Sequence, residues 1–488
     1  MRVLSRLILT SIAAICAIST SAQPNVVLIL ADDLGWNDVG YHGSEIRTPT
    51  LDALAASGVS FEQYHSQPTC TSTRAALMTG KSPQRLGIYR QFAKYATEGL
   101  PAGEQTLADY LKKQSYQTWL VGKWHLGYAR QEFHPNSRGF DHFYGHVTGG
   151  VGYWDHVHGG GYDWQRNGQT VREDGYTTHL LADEAIKLIK NRAASQPFFL
   201  FASFNAPHLP NEAPQNTIDA YSDIQDPLRR VHAAMVTELD AAIGQIVEAL
   251  KSEGEFDNTL IWFMSDNGGL NRGARPESSM VSISESLEGL FGIPLPITML
   301  EFIRTNTLDG GSDNSPLRFG KSSVYEGGAR VPSLAHWPQN LPAHRAEEFV
   351  SAQDVLPTIL HAIGADIPED LDGGTRLAVL ENKEAGQPRD YVTTGQLGAQ
   401  AFYRWPWKLI ALDDELELYN LANDPLEENN LANTETDLVE ALHASLIDSP
   451  RAPSLHIPLY KVFWDPDFFG GTEDRAPWAE LTIQNSTN

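Results

Sequence analysis

A chain of 488 residues with 61 acidic and 36 basic side chains carries a formal net charge of -25, an excess of acid that excludes the nucleic-acid backbone as a partner. With 41% hydrophobic residues and mixed glycine and proline, it has the composition of a globular protein long enough for two or three domains. It has two cysteines, and one lies in a segment expected to be removed, so an internal disulfide is excluded from the mature chain.

The first 22 residues, MRVLSRLILTSIAAICAISTSA, place two arginines before an apolar core and end on small residues, the pattern of a cleaved secretory signal. A periplasmic or secreted protein is expected. Cys16 follows Ile15, where a lipoprotein signal would place a small residue, so soluble export is preferred to lipid anchoring. The longest other apolar stretch, LFGIPLPITMLEFI from Leu290, is broken by two prolines and falls short of the ~20 residues of a membrane span. No integral membrane association is expected.

From Pro24 onward, apolar β-rich runs alternate with helical periods. The run Val26 to Leu30 stops at Asp32 and Asp33, and a helical stretch follows from Thr50 to Gly58. Cys70 opens a helix-forming run, TSTRAALMTG, and another helix is expected over Gln105 to Gln114. Thr118 to Val121 leads into Lys123 and His125, and Phe198 to Phe204 delivers His208 after the helical stretch Thr178 to Ala193. Arg229 to Ser252 reads as a helix, and Leu260 to Met264 then delivers Asp266 and Asn267. This alternation predicts an α/β fold, a mainly parallel central sheet sandwiched by helices. After about residue 385 the pattern changes to short alternating strands, an acidic turn and a helix from about Thr436 to Ile447. The expected organisation is a catalytic domain over 23–384 and a smaller C-terminal α+β domain with a short antiparallel sheet over 385–488. Its Pro- and aromatic-rich tail from Asp448 is expected to wrap the surface.

In open sheets of this kind ligands bind beyond the carboxyl ends of the strands, and four runs deliver polar residues there. Asp32, Asp33, Asp266 and Asn267 are hard oxygen donors suited to Ca²⁺ or, second, Mg²⁺. Taken singly, Asp33 reads as a helix cap and the DNGG stretch as a tight turn; their convergence favours a metal. Cys70 stands near a helix N-terminus, where the dipole favours an anion, and Arg74 follows one turn later. A lone cysteine is usually inert and buried. Here Thr69, Thr71, Ser72 and Thr73 surround it with polar groups, which argues against an apolar burial site. With Lys123, His125, His208 and Lys321 also in loops, the pattern is a metal-bound oxyanion clamped by cations.

The stretches PNVVLILADDLGWNDVGYHG, CTSTRAALMTG, GKWHLG, RGFDHFYG, NAPH, SDNGG, PLRFGKSSVYEGGARVPS and ELYNLANDP, in that order from Pro24 to about Ala432, resemble the formylglycine-dependent (type I) sulfatases of the alkaline-phosphatase-like superfamily. RGFDHFYGHVTGGVGYWDH most resembles the arylsulfatase B-like branch. The resemblance implies that a maturation enzyme oxidises Cys70 to formylglycine (3-oxoalanine), used as its hydrate. One hydroxyl attacks sulfur and the other expels sulfate, restoring the aldehyde. It also implies that Asp32, Asp33, Asp266, Asn267 and the hydrate at position 70 hold Ca²⁺, with Asp266 a further candidate base. Arg74 would steady the hydrate and His125 take the proton that drives elimination. Lys123, His208 and Lys321 would hold sulfate oxygens, with His208 or Lys321 protonating the leaving alcohol. One position departs from the family: Cys-x-Pro-x-Arg, sometimes with alanine at the third place, carries Ser72 there. The maturation enzyme reads this motif in the unfolded chain, so the departure bears on conversion of Cys70.

For the organic part of the substrate, Gly145 to Trp164 is rich in glycine, histidine and aromatics, which suits sugar rings and equally suits a loop packed on itself. A sulfated poly- or oligosaccharide is the expected substrate. The insertion from Arg272 to Asn314 is expected to form a lid or substrate wall. Two other functions fit parts of the pattern: a phosphate or phosphonate ester hydrolase on the same scaffold, and a silent glycan-binding protein if Cys70 is never converted.

Overall fold

The computed structural model describes residues 23–92, 96–158, 161–271, 310–395, 398–412 and 415–447. The expected signal (1–22), the Leu290 stretch, the tail from Asp448 and most of the insertion lie outside the described residues.

One ten-stranded sheet organises the chain. In spatial order its strands are His344–Ala346, Val59–Phe61, Ser333–His336, Thr259–Ser265, Asn25–Ala31, Phe198–Ser203, Gln117–Lys123, His142–His146, Gln165–Arg166 and Gln169–Thr170. The five from Thr259–Ser265 to His142–His146 are parallel to their neighbours, while Ser333–His336 and Gln165–Arg166 join on either side in antiparallel register. The expected mainly parallel centre is present.

The central strands are apolar on both faces because helices cover both. Along Asn25–Ala31, Val26, Leu28 and Leu30 face a cluster holding Ala75, Leu77, Leu111 and Leu356, whereas Val27, Ile29 and Ala31 face Leu51, Leu181, Leu239 and Ile243. Helices Cys70–Thr79, Leu107–Lys113 and Val355–Ala362 thus lie on one side, and Pro49–Ser57, Thr177–Lys190 and Pro227–Ser252 on the other. The longest begins at Asp226, whose carboxylate accepts from Leu228 N, followed by Pro227 where no N–H is required.

Two expectations shift. Gly145 and His146, expected in a loop that either holds the substrate or packs on itself, belong to the fifth parallel strand, where they pair with Gly122 and Lys123. His-Phe-Tyr-Gly-His has too few apolar residues for a strand run, and pairing with the neighbouring strand imposes the conformation. The helix expected to reach Ala193 ends at Lys190, where the Asn191 side chain caps Lys187 O.

The C-terminal strands Tyr391–Thr394, Gln400–Arg404, Trp407–Leu412 and Glu415–Asn420 form an antiparallel meander. Phe402, Leu409 and Leu418 on one face pack against Leu442 and Leu446 of helix Thr436–Ile447. Ala401, Tyr403 and Ile410 on the other pack against Val324, Tyr325 and Phe349. Among the described residues no helix is long and apolar enough to cross a membrane.

Candidate active site

Four adjacent strands end at one edge, and each ends on a residue that touches another. After Ala31 come Asp32 and Asp33; after Ser265 come Asp266 and Asn267; Lys123 closes its strand; and Ser203 precedes the loop to His208. Lys123 Nζ lies 2.6 Å from Asp32 Oδ2, and Lys321 Nζ lies 2.6 Å from Asp33 Oδ2. His208 Nε2 stands 3.7 Å from the same Asp33 oxygen. Asp33 takes a left-handed φ of 67°, held by Asn267 Nδ2 donating to its Oδ1 at 2.7 Å and by its own N–H donating to Asp266 Oδ1 at 3.2 Å.

Cys70 is the first residue of its helix, with Thr69 as N-cap, and all ten residues of that helix are buried. The polar neighbours expected to argue against an apolar site are themselves buried, in hydrogen-bonded surroundings. Thr71 Oγ1 accepts from Phe92 N, Thr73 Oγ1 accepts from Gln67 N, and Thr69 Oγ1 donates to Ser72 Oγ. Each hydroxyl is satisfied by the flanking chain, which is how a polar helix comes to be buried. Cys70 Sγ faces His125 Nδ1 at 3.4 Å, while His125 Nε2 lies 2.9 Å from Phe92 O. A carbonyl only accepts, so Nε2 carries a hydrogen, and in the neutral imidazole Nδ1 turns its lone pair toward position 70.

Arg74, expected to steady a hydrate at position 70, directs its hydrogen bonds among the described residues to the strand ends. Its Nε and Nη2 both donate to Asp266 Oδ2, at 3.1 and 2.9 Å, and its Nη1 donates to Lys123 O and to Ser203 Oγ. The guanidinium ties three strand ends together from beneath and does not contact Cys70 Sγ among its hydrogen bonds. Ser203, which passes on the bond to Lys123 O at 2.7 Å, escaped sequence reasoning because it reads as the end of an apolar run.

Whether these residues suit a hard cation can be tested on their unpaired oxygens. Asp32 Oδ1 and Asn267 Oδ1 are buried and have no hydrogen-bond partner. The amide nitrogen of Asn267 is committed to Asp33 and Gly268 O, which fixes where its oxygen points. Donor atoms of Asp32, Cys70 and Asp266 lie within 4.8 Å of one another, as do those of Asp32, Asp33 and His208. Unsatisfied buried oxygens beside two further carboxylates fit an oxygen-ligated divalent cation.

The electrostatics follow from burial. Burial and the adjacent Asp32 push Asp266 up to about 7, against Arg74. Burial would raise Asp33 as well, but Lys321 and His208 hold it well below the usual carboxylate range. Burial and Lys321 bring His208 down to about 3. Burial raises the Cys70 thiol, with Lys123 and Lys321 opposing; a thiol held this way is a poor nucleophile.

Backbone closes over the two histidines: a Cβ on Gly149 would lie 2.9 Å from the His125 ring, and one on Gly150 3.1 Å from the His208 ring. Asp163 holds this loop, accepting from Val147 N and Thr148 N at 3.1 and 2.8 Å and from Thr148 Oγ1 at 2.5 Å. Neither the glycine pair nor Asp163 was distinguishable within a Gly-rich segment. Beside Asp33 a small cleft is lined by Leu209, Asn211, His232, Leu270 and Gly311. The described end of the insertion is anchored here: Asn314 exchanges two 2.8 Å hydrogen bonds with the backbone of Gly269, and Gly311 pairs with Asn271.

A family model described as Sulfatase matches residues 24–365, and one described as N-sulphoglucosamine sulphohydrolase, C-terminal, matches 317–451. Arylsulfatase J of Mus musculus is 34% identical over 365 residues, covering 72% of this chain and 55% of that protein. N-acetylgalactosamine-6-sulfatase of Homo sapiens is 31% identical over 415 residues, covering 79% of this chain and 72% of that protein. A solved structure described as Ps i-CgsB in complex with k-i-k-neocarrahexaose superposes with a TM-score of 0.76 at 32% identity, covering 91% of this chain and 98% of that one. The chain belongs to the sulfatase family, the type I sulfuric ester hydrolases of the alkaline-phosphatase-like superfamily.

Proposed function

We propose that this protein is exported and removes sulfate from a sulfated poly- or oligosaccharide, using formylglycine at position 70 and bound Ca²⁺. The observation that carries the reading is the convergence of Asp32, Asp33, Asp266 and Asn267, with two unpaired oxygens, on the residue that opens a buried helix. In that reading Cys70 Sγ marks the place of a hydrate oxygen. The hydrate would supply a nucleophile that a thiol cannot, and the cation would polarise sulfate oxygens and favour the ionised nucleophile.

The chain's own groups divide the remaining work. His125 Nδ1, its lone pair turned to position 70, takes the proton whose loss restores the aldehyde. Lys123 and Lys321, each already pairing with a carboxylate at 2.6 Å, reach past it to the sulfate oxygens. The leaving alcohol takes its proton from Lys321; His208 beside it, held down to about 3, could serve only after taking up a proton itself. Arg74 holds Asp266 and the ends of three strands in register, so its contribution is to position the carboxylate. The substrate class rests on the relatives named above, one of them solved with a carrageenan-type hexaose. A formylglycine-generating enzyme is the one transient protein partner the reading requires.

Two measurements test it. Mass spectrometry of the Cys70 peptide from native-host protein should show sulfur and two hydrogens replaced by one oxygen; an unmodified thiol throughout refutes the enzymatic reading and leaves a silent glycan-binding protein. Release of sulfate from a panel of sulfated oligosaccharides and aryl sulfates should exceed release of phosphate from matched phosphate and phosphonate esters, with Cys70→Ala inactive. Faster phosphate turnover selects the phosphate or phosphonate hydrolase instead.

A further inference from the structure

Four large hydrophobic side chains are exposed among the described residues, and two of them, Trp154 at 49% and Phe319 at 37%, belong to the segments that surround the candidate anion site. Trp154 follows Tyr153, whose single hydroxyl hydrogen is shared between Asn205 O at 3.0 Å and His208 O at 2.9 Å, and whose N–H donates to Glu212. The Tyr153 ring is stacked on Tyr176 at 5.1 Å, and Trp154 leans on Tyr176 at 5.0 Å. The exposed indole therefore stands on a fixed aromatic base that is bonded to the loop carrying His208.

Phe319 lies two residues before Lys321, whose ammonium pairs with Asp33. Its φ of 62° is left-handed, a conformation that a bulky residue adopts only when its surroundings impose it. The imposing contacts are at hand. Gly327 N donates to Arg318 O, and the Phe319 carbonyl lies where a Cβ on Gly327 would be 2.4 Å away. The ring rests 5.0 Å from Tyr325, and the Arg318 guanidinium covers both rings. Even with these contacts more than a third of the Phe319 surface stays exposed.

Lys321 and His208 meet at one oxygen of Asp33, so the segments bearing the two aromatics converge on the same carboxylate. We propose that Trp154 and Phe319 form two platforms flanking the sulfate pocket, which receive the apolar faces of pyranose rings on either side of the sulfated one. The inference rests on the saccharide reading above and adds the residues that hold the sugar. Charge supports stacking over ion pairing as the means of holding the chain. A protein of net charge -25 repels a polyanion at long range, so affinity for flanking sugars must come from uncharged contacts. Aromatic faces supply it, because sugar C–H groups lie against the negative face of the ring.

The test measures binding apart from turnover. In a Cys70→Ala background, calorimetry with sulfated galactan, fucan and glycosaminoglycan hexasaccharides is compared for Trp154→Ala, Phe319→Ala and the conservative Trp154→Phe. Each alanine variant should weaken binding of at least one hexasaccharide about fivefold, with Trp154→Phe close to the parent. In the active background, turnover of 4-nitrophenyl sulfate should stay within about twofold. Unchanged binding in both alanine variants, or no binding by the parent to any hexasaccharide, overturns the proposal. So does an equal loss on the aryl sulfate. If the parent binds in a Trp154-dependent way but releases no sulfate from any ester, the hydrolase reading fails and the platforms stand.

Discussion

Replacing Lys408 by methionine tests how the C-terminal sheet is locked to the sheet that carries the site. The Lys408 ammonium lies 2.9 Å from Glu326 Oε1 and 2.7 Å from Glu427 Oε1, with all these side chains shut off from water. Glu326 Oε2 lies 2.8 Å from His65 Nε2, five residues before Cys70, and Glu427 Oε2 accepts from Glu326 N. Methionine preserves the apolar stem and leaves two carboxyl groups facing each other. Burial already pushes Glu427 up to about 7 against the opposing charge of Lys408. Burial would raise Glu326 too, but Lys408 and His65 hold it below the usual range. Breaking a buried ion pair by removing one partner costs about 3 to 5 kcal/mol. In the variant the native carboxyls have raised pKa values, so they keep protons that the unfolded chain releases near 4.5. Their contribution to stability is then fully present below the unfolded value and is lost as pH rises through the native one, at up to about 1.4 kcal/mol per pH unit for each carboxyl. Thermal melts followed by tryptophan fluorescence should therefore show a gap from the parent that is wide at about pH 8 and narrows toward about pH 5.5. Glu427→Gln added to Lys408→Met should recover part of the loss at the higher pH. Equal gaps at both pH values, or no recovery, would refute the reasoning.

Ser72→Pro should raise the converted fraction of Cys70 by mass spectrometry while leaving the melting temperature nearly unchanged. Position 72 lies in the first turn, where backbone N–H groups have no intrahelical acceptor, and only the Thr69 to Ser72 hydroxyl bond is lost. Asp163→Asn turns an amide NH₂ or its single oxygen toward three donors, loosening the loop that covers His125. An approximately tenfold fall in kcat on an aryl sulfate with KM unchanged is expected. Because burial pushes Asp163 up to about 6, its stability contribution is present below the unfolded value and lost as pH rises through the native one; the variant should lose that slope in melts across about pH 4 to 6. Dialysis against a calcium chelator should abolish turnover and lower the melting temperature, and Ca²⁺ at a hundredfold excess over its Kd should restore about 2.7 kcal/mol. Asp32→Asn and Asn267→Ala should blunt that calcium response, and an undiminished response in both would remove them as ligands.

The central strands were legible because each is buried on both faces, so its apolar run is continuous, and because the polar residues that interrupt each run sit where the strand ends. That is why Asp32, Asp33, Lys123, His125, His208, Asp266 and Asn267 could be named from the sequence. Strands held by pairing alone were not: Val59–Phe61 and Gln165–Arg166 are too short to show a period, and His142–His146 is too polar. Long-range polar partnerships were equally hidden. Lys408 and Glu326 are 82 positions apart, and nothing local distinguishes Lys408 from a surface lysine on an antiparallel strand. Arg74 marks the boundary between the two cases. Its position one turn after Cys70 was visible, but its guanidinium turns to Asp266, Lys123 O and Ser203, which belong to strands more than forty residues away.

The same bonds explain how an acidic protein can attract an anion. Within the site Asp32, Asp33 and Asp266 are each matched by a cation, Lys123, Lys321 and Arg74 respectively. With Asp266 ionised, as a bound cation would hold it against the upward push of burial, these formal charges cancel, and His208, held down to about 3, adds none at neutral pH. The buried site is therefore close to neutral by itself, inside a chain of net charge -25. Binding a divalent cation, as proposed, leaves a local charge of about +2 in a region of low dielectric, where it acts at short range with little screening. The surrounding acid opposes long-range capture of any polyanion, so the sulfate group is selected only on entering the pocket. Lysine in place of Arg74 would keep this charge sum and lose the three-way tie, since an ammonium cannot reproduce the planar fork that joins Asp266 to both strand ends. The Arg74→Lys variant should then bind Ca²⁺ more weakly than the parent in a calorimetric titration despite unchanged charge, which separates the geometric contribution of Arg74 from its electrostatic one; equal affinity would reduce that contribution to charge alone.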